Sequence, residues 1–152
     1  MTKQLKLKIV TPERLILEEL VDQVTLPTTE GEITILPDHV PLITGLTSGD
    51  VIAKTKGEDV PMAVAGGFVE VHNVSLQNDD KITEVAVLAD FAEHVQELSE
   101  EKIAEAKRRA EELQKQMENK ELVDFEHFAA ELERSLTRVK IADKWRTKKY
   151  RK

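Results

Sequence analysis

Apolar and polar residues alternate through the first part of this chain in short runs. Leu5, Leu7 and Ile9 alternate with Lys6 and Lys8, a period of two that predicts a strand over Leu5–Val10, ended by Thr11-Pro12. A second strand is expected from about Arg14 to Leu26, bent near Glu18-Glu19 and closed by Pro27. Further short strands are expected over Gly31–Leu36, Leu42–Leu46, Asp50–Lys56, Val60–Ala65, Phe68–His72, Val74–Leu76 and Ile82–Leu88. Turns fall at Ser48-Gly49-Asp50, Lys56-Gly57-Glu58-Asp59, His72-Asn73 and Asn78-Asp79-Asp80. Strands spaced by roughly 8–12 residues, with nothing helical between them, point to an antiparallel sandwich or flattened barrel. Gly66-Gly67, inside an otherwise apolar run, reads as a bulge or a close backbone approach, and the alternation around it places Phe68 in the core.

Beyond about Asp90 the period changes to three and four. No proline or glycine lies beyond Gly67, as long helices require. Asp90 with Glu93, or Ser99 with Glu100 and Glu101, would start a first helix that runs to about Glu118. Its apolar stripe is Ile103, Ala106, Ala110, Leu113 and Met117, and Asn119 is placed to end it. Asp124 can cap a second helix with the stripe Phe125, Phe128/Ala129, Leu132, Leu136, Val139 and Ala142, reaching Trp145. Two helices joined by about five residues form an antiparallel hairpin. The expected architecture is β + α: a docking domain over 1–89 and a helical domain over 90–152, with 90–98 as hinge.

Charge sharpens this division. The net charge of −7 is unevenly spread, because residues 134–152 hold nine Lys/Arg against Asp143 alone. That end is a handle for an acidic partner. Nucleic acid is not expected, since the remaining surface repels phosphate. There are no cysteines, which excludes disulfides, thiolate nucleophiles and Cys-ligated zinc. Aromatics make up 4%, so the core must rest on Val, Ile, Leu and Ala. No apolar run approaches the roughly 20 residues of a membrane span. The opening residues lack the pattern of a signal or transit peptide, and the expectation is a protein of a reducing compartment with no import step.

Candidate chemistry is sparse. His39, His72, His94 and His127 show no metal-ligand spacing, and a metal site built from Glu32, His39 and His72 is set aside. No serine sits in a nucleophile elbow, and Gly66-Gly67 lacks what a phosphate loop needs. The expectation is a protein without catalytic residues or metal. By contrast, Pro37-Asp38-His39-Val40-Pro41 sets a histidine between rigid corners, shortly after Glu32, and reads as a docking loop.

Four ordered motifs then carry a resemblance. They are Thr11-Pro12-Glu13, Gly31-Glu32-Ile33-Thr34-Ile35-Leu36-Pro37-Asp38-His39-Val40-Pro41, Ala65-Gly66-Gly67-Phe68-Val69-Glu70-Val71 and Val87-Leu88-Ala89-Asp90-Phe91-Ala92-Glu93. With the Ala-rich hairpin, the chain resembles the epsilon subunit family of bacterial F-type ATP synthase over nearly its whole length. The resemblance implies a β-sandwich of about ten strands followed by a two-helix hairpin. It implies a non-catalytic rotor subunit that joins the gamma subunit to the c-ring and restrains ATP hydrolysis through its helices. Glu32 and His39 would then face the c-ring polar loops and gamma. Arg134, Arg138 and Lys140 would meet an acidic loop of the beta subunits. The complex would hold the chain on the cytoplasmic side of the cell membrane. Some relatives bind ATP on the hairpin through an Ile/Leu-Asp-x-x-Arg-Ala motif. Here the matching stretch is Leu98-Ser99-Glu100-Glu101-Lys102-Ile103, with only Leu98 kept. Arg109, Arg134 and Arg138 stand where supporting arginines would be, so the resemblance implies at most weak regulatory ATP binding and no other cofactor. The alternative class is a stand-alone binding module that uses its basic helix on an acidic protein.

Overall fold

The computed structural model describes residues 3–95, 100–118 and 125–149. The chain divides into two compact units, residues 1–92 and 93–152.

The first unit is a β-sandwich of eight strands, the last of which runs two residues past the unit boundary: β1 (Leu5–Val10), β2 (Leu15–Val21), β3 (Gln23–Thr28), β4 (Gly31–Ile35), β5 (Leu42–Gly45), β6 (Gly49–Thr55), β7 (Glu58–Ser75) and β8 (Lys81–His94). They run in the order β2-β1-β8-β7-β6-β3-β4, with β5 added against β7. The strands expected over Val60–Ala65, Phe68–His72 and Val74–Leu76 merge into β7, while the one expected from about Arg14 to Leu26 divides into β2 and β3. That leaves eight rather than the about ten implied by the resemblance. β7 pairs with β6 through Glu58–Val64 and with β5 through Phe68–Val71, so one strand serves both layers. The sheet is mixed rather than wholly antiparallel, since β1 lies parallel to β8. A parallel pair needs a long connection, and six strands intervene.

The core follows the alternation of the strands. Leu5, Leu7 and Ile9 of β1, Val24 and Leu26 of β3, and Val85 and Val87 of β8 are fully buried in one cluster. Each contributes about 1.5–3 kcal/mol of apolar burial. At Gly66-Gly67 the inward parity changes from Met62 and Val64 to Val69 and Val71. Both glycines have positive φ (65° and 117°), the geometry of a bulge. The extra residue turns Phe68 outward, where it is 62% exposed, contrary to the core position expected from its alternation.

Other boundaries move for local reasons. The bend expected at Glu18-Glu19 lies at Asp22, whose Oδ2 accepts from the Lys56 N–H at 2.9 Å and whose N–H donates to Lys54 O at 2.8 Å. Pro27 lies inside β3, opposite Glu32, rather than ending the strand. Lys56 and Gly57, both with positive φ, make the two-residue turn of the β6–β7 hairpin. Asp90 and Glu93 continue β8 and form no helix cap.

The second unit contains α1 (Glu100–Glu118) and α2 (Phe125–Lys149). Ser99, Asn119 and Asp124, the expected caps, lie outside the described residues. Ile103, Ala106, Ala110 and Leu113 of α1 are buried, as their spacing predicts. Ile103 packs with Val139 and Ala142 late in α2, whereas Arg109 meets Glu131 earlier in α2, the order of an antiparallel pair. On α2 the buried line passes through Ser135 rather than Leu136, which is 45% exposed. Leu132, Ser135 and Val139 step by three and four along one face, and Leu136 falls beside it.

Candidate functional site

Three surfaces carry the chemistry. The first is the Pro37–Pro41 loop between β4 and β5. Asp38 takes a left-handed φ of 69°, and its N–H donates to the buried Thr83 Oγ1 at 2.7 Å. Thr83 Oγ1 in turn donates to Asn73 Oδ1 at 3.1 Å. The Asp38 carboxylate pairs with Lys3. His39 donates its N–H to Leu36 O at 3.2 Å, and its ring Nδ1 lies 2.7 Å from Val40 O. The loop is therefore held through backbone contacts, with His39 half-buried on it. Glu32 stands exposed on β4. No ion pair links Glu32 to His39 among the described residues. Thr83 and Asn73, which anchor the loop, are invisible in the local sequence because they come from strands about 40 residues away.

The second surface is apolar. Ile43 of β5 is 73% exposed and pairs with Glu70, placing it diagonally from outward-facing Phe68 on the same sheet face. Leu88 of β8 is half-exposed beside the Gly67 bulge. Large apolar side chains clustered in the open mark a surface that a partner covers. On the same face His72 sits between Glu70 and Glu84, at 3.9 and 3.7 Å. His72 thus joins these carboxylates and not His39. Among the described residues, no group of three or more His, Cys, Asp or Glu could hold a metal ion.

The third surface is a cleft of about 500 Å³ in the helical unit. Five cations line it (Lys102, Arg108, Arg109, Arg134, Arg138), and four carboxylates face them (Glu93, Glu105, Glu112, Glu131). The expected trio Arg109, Arg134 and Arg138 is therefore brought together. Lys140 is exposed and does not line the cleft. Arg109 grips Glu131 with two prongs, Nε to Oε1 at 2.6 Å and Nη2 to Oε2 at 3.2 Å. It also reaches Glu112 Oε2 at 3.3 Å. These hydrogen bonds hold the Glu131 carboxyl below its usual range and push the Arg109 guanidinium upward. Arg138 Nε donates to Glu93 Oε2 at 2.7 Å, while Lys102 Nζ lies 3.6 Å from the other Glu93 oxygen. Sequence reasoning found the arginines but missed Glu93 and Glu131, whose pairing depends on contacts 45 and 22 residues apart.

Residues 4–95 match the family described as ATP synthase, Delta/Epsilon chain, beta-sandwich domain. The chain belongs to the ATP synthase delta/epsilon family. Among its relatives is an ATP synthase epsilon chain of Nitratidesulfovibrio vulgaris, 39% identical over 141 residues, covering 93% of this chain and 97% of the relative. An ATP synthase epsilon chain of Dehalococcoides mccartyi is 40% identical over 145 residues, covering 94% and 95%. In solved structures the fold matches a chain of the Euglena gracilis mitochondrial ATP synthase OSCP/F1/c-ring assembly, with a TM-score of 0.59 and 22% identity. That match covers 97% of this chain and 82% of the other. Within this epsilon-type chain, the stretch that replaces the nucleotide motif of some relatives has other partners. Lys102 pairs with Glu93, and Ile103 is buried in the helical core. Leu98 and Ser99 lie outside the described residues. No helix among the described residues is long and apolar enough to cross a membrane.

Proposed function

We propose that this chain is a non-catalytic central-stalk subunit of an F-type ATP synthase, with docking assigned to the β unit and regulation to the helices. The observation that carries the reading is the match to ATP synthase epsilon chains over 93–95% of this chain and 95–97% of the relatives.

Ile43, Phe68 and Leu88 supply the apolar area that a gamma subunit would cover. Glu32 on β4 and His39 on the stiff Pro37–Pro41 loop suit the c-ring polar loops. Arg134, Arg138 and Lys140 suit an acidic loop of the beta subunits, through attraction that weakens as salt rises. The chain would sit on the cytoplasmic face of the membrane, held there by its complex. Residues 1–89 are assigned docking and 90–152 regulation; of the expected hinge 90–98, residues 96–98 lie outside the described residues. ATP at Arg109, Arg134 and Arg138 would have to displace Glu131 and Glu93, so such binding would be weak. Titration calorimetry with millimolar ATP tests it, and absence of heat removes it.

The reading is tested by co-purification with the cognate gamma subunit, comparing the full chain with one ending at His94. Equal binding by both supports docking through the β unit. Binding by neither supports the stand-alone module, and binding by the full chain alone makes the hairpin an anchor.

A further inference from the structure

We propose that Glu93 is an internal competitor for Arg138, occupying the guanidinium through which α2 would meet an acidic partner. The proposal rests on the docking role given to Arg138 above.

Glu93 is the first residue of the second unit and gathers cations from both helices. One carboxylate oxygen accepts from Arg138 of α2 at 2.7 Å, and the other faces Lys102 of α1 at 3.6 Å. The Glu93 side chain is 13% exposed and that of Arg138 34%. The pair is therefore shielded enough to hold Arg138 against salt, more than an open surface pair would be. Arg138 offers its Nε to this carboxylate, so an external carboxylate approaching that edge must first displace Glu93.

Two features make the pair exchangeable rather than permanent. Glu93 keeps Lys102 when Arg138 leaves, so it is not stranded as an uncompensated charge. Arg109 and Glu131 tie α1 to α2 independently of Glu93, so releasing Arg138 does not itself part the helices. A partner presenting several carboxylates to Arg134 and Arg138, which line one cleft, outcompetes the single Glu93 by multivalency. A lone acid does not. Glu93 thus sets the threshold at which the basic helix engages, an autoinhibitory contact between the end of β8 and α2.

The test is ATP hydrolysis by the assembled complex at fixed ionic strength, with the full chain as wild type, Glu93→Gln, Arg138→Gln and the double variant. Glu93→Gln keeps the shape and removes the charge, so it weakens the hold on the Arg138 Nε and should lower hydrolysis roughly threefold, the scale of a partly exposed ion pair. Arg138→Gln should raise hydrolysis, and the double variant should match Arg138→Gln, because Glu93 acts through Arg138. Hydrolysis unchanged in Glu93→Gln, or additive effects in the double variant, overturns the proposal while an effect of Arg138→Gln leaves the docking reading standing. No effect of Arg138→Gln or of deleting residues 134–152 overturns both. If far-ultraviolet circular dichroism shows Glu93→Gln misfolded, Glu93→Asp takes its place. It withdraws the carboxylate by one methylene, and the same directions apply.

Discussion

Gly67 lies so close to Leu88 that a Cβ on it would stand 2.0 Å from the Leu88 carbonyl oxygen. The contact is with backbone, so no side chain can yield to relieve it. Gly67→Ala should therefore destabilise the sandwich by about 2–4 kcal/mol, combining the clash with the strain of its positive φ. Gly57 is the control, because its φ is also positive (80°) but a Cβ there meets nothing within 4 Å. Gly57→Ala should cost only about 1 kcal/mol. Urea unfolding of the two variants checks the difference.

Phe68→Asp should leave the fold intact, within about 0.5 kcal/mol of the original stability, because the side chain already faces solvent. Its effect should appear in docking, as a loss of gamma affinity of roughly tenfold or more, the scale of an interface anchor. Calorimetric binding alongside thermal unfolding separates the two. A variant that unfolds would place Phe68 in the core after all.

Phe68 also shows where the sequence can be read and where it cannot. Alternation correctly places Leu5, Leu7 and Ile9 inside, because β1 is regular. It fails past Gly66-Gly67, because a bulge inserts a residue and its parity depends on the partner strands, not on local pattern. The same limit explains Asp90 and Glu93, whose capping-box spacing lost to pairing with neighbouring strands. The stiff loop was legible from Pro37, His39 and Pro41, whose rigidity is local. Its anchor Thr83 was not. In the hairpin the arginines were legible as charge, but the carboxylates that engage them were hidden among many equivalent glutamates.

The Arg109–Glu131 pair makes the helical unit sensitive to acid. The folded carboxyl of Glu131 titrates below its ordinary value of 4.5. Its contribution is therefore complete above that value and is lost as pH falls through the lowered one. Glu131→Gln should lower the helical melting temperature slightly at pH 7, and the difference from the unaltered chain should shrink at a second, acid pH below 4.5. Circular dichroism melts at the two pH values check the sign. A difference that grows in acid would contradict it.

Salt offers an independent check on the role proposed for the basic helix. If Arg134, Arg138 and Lys140 engage an acidic surface, restraint of hydrolysis should weaken as ionic strength rises from about 0.05 to 0.5 M. Phe68-dependent gamma binding, being apolar, should change far less over that range. Parallel titrations of hydrolysis and binding against salt separate the two contacts.

ATP hydrolysis by the assembled complex, with the full chain and with one lacking residues 134–152, tests the central claim most directly. The account predicts higher hydrolysis from the shortened chain with assembly unchanged, since the β unit docks and the basic helix restrains. Unchanged hydrolysis in a fully assembled complex would contradict it.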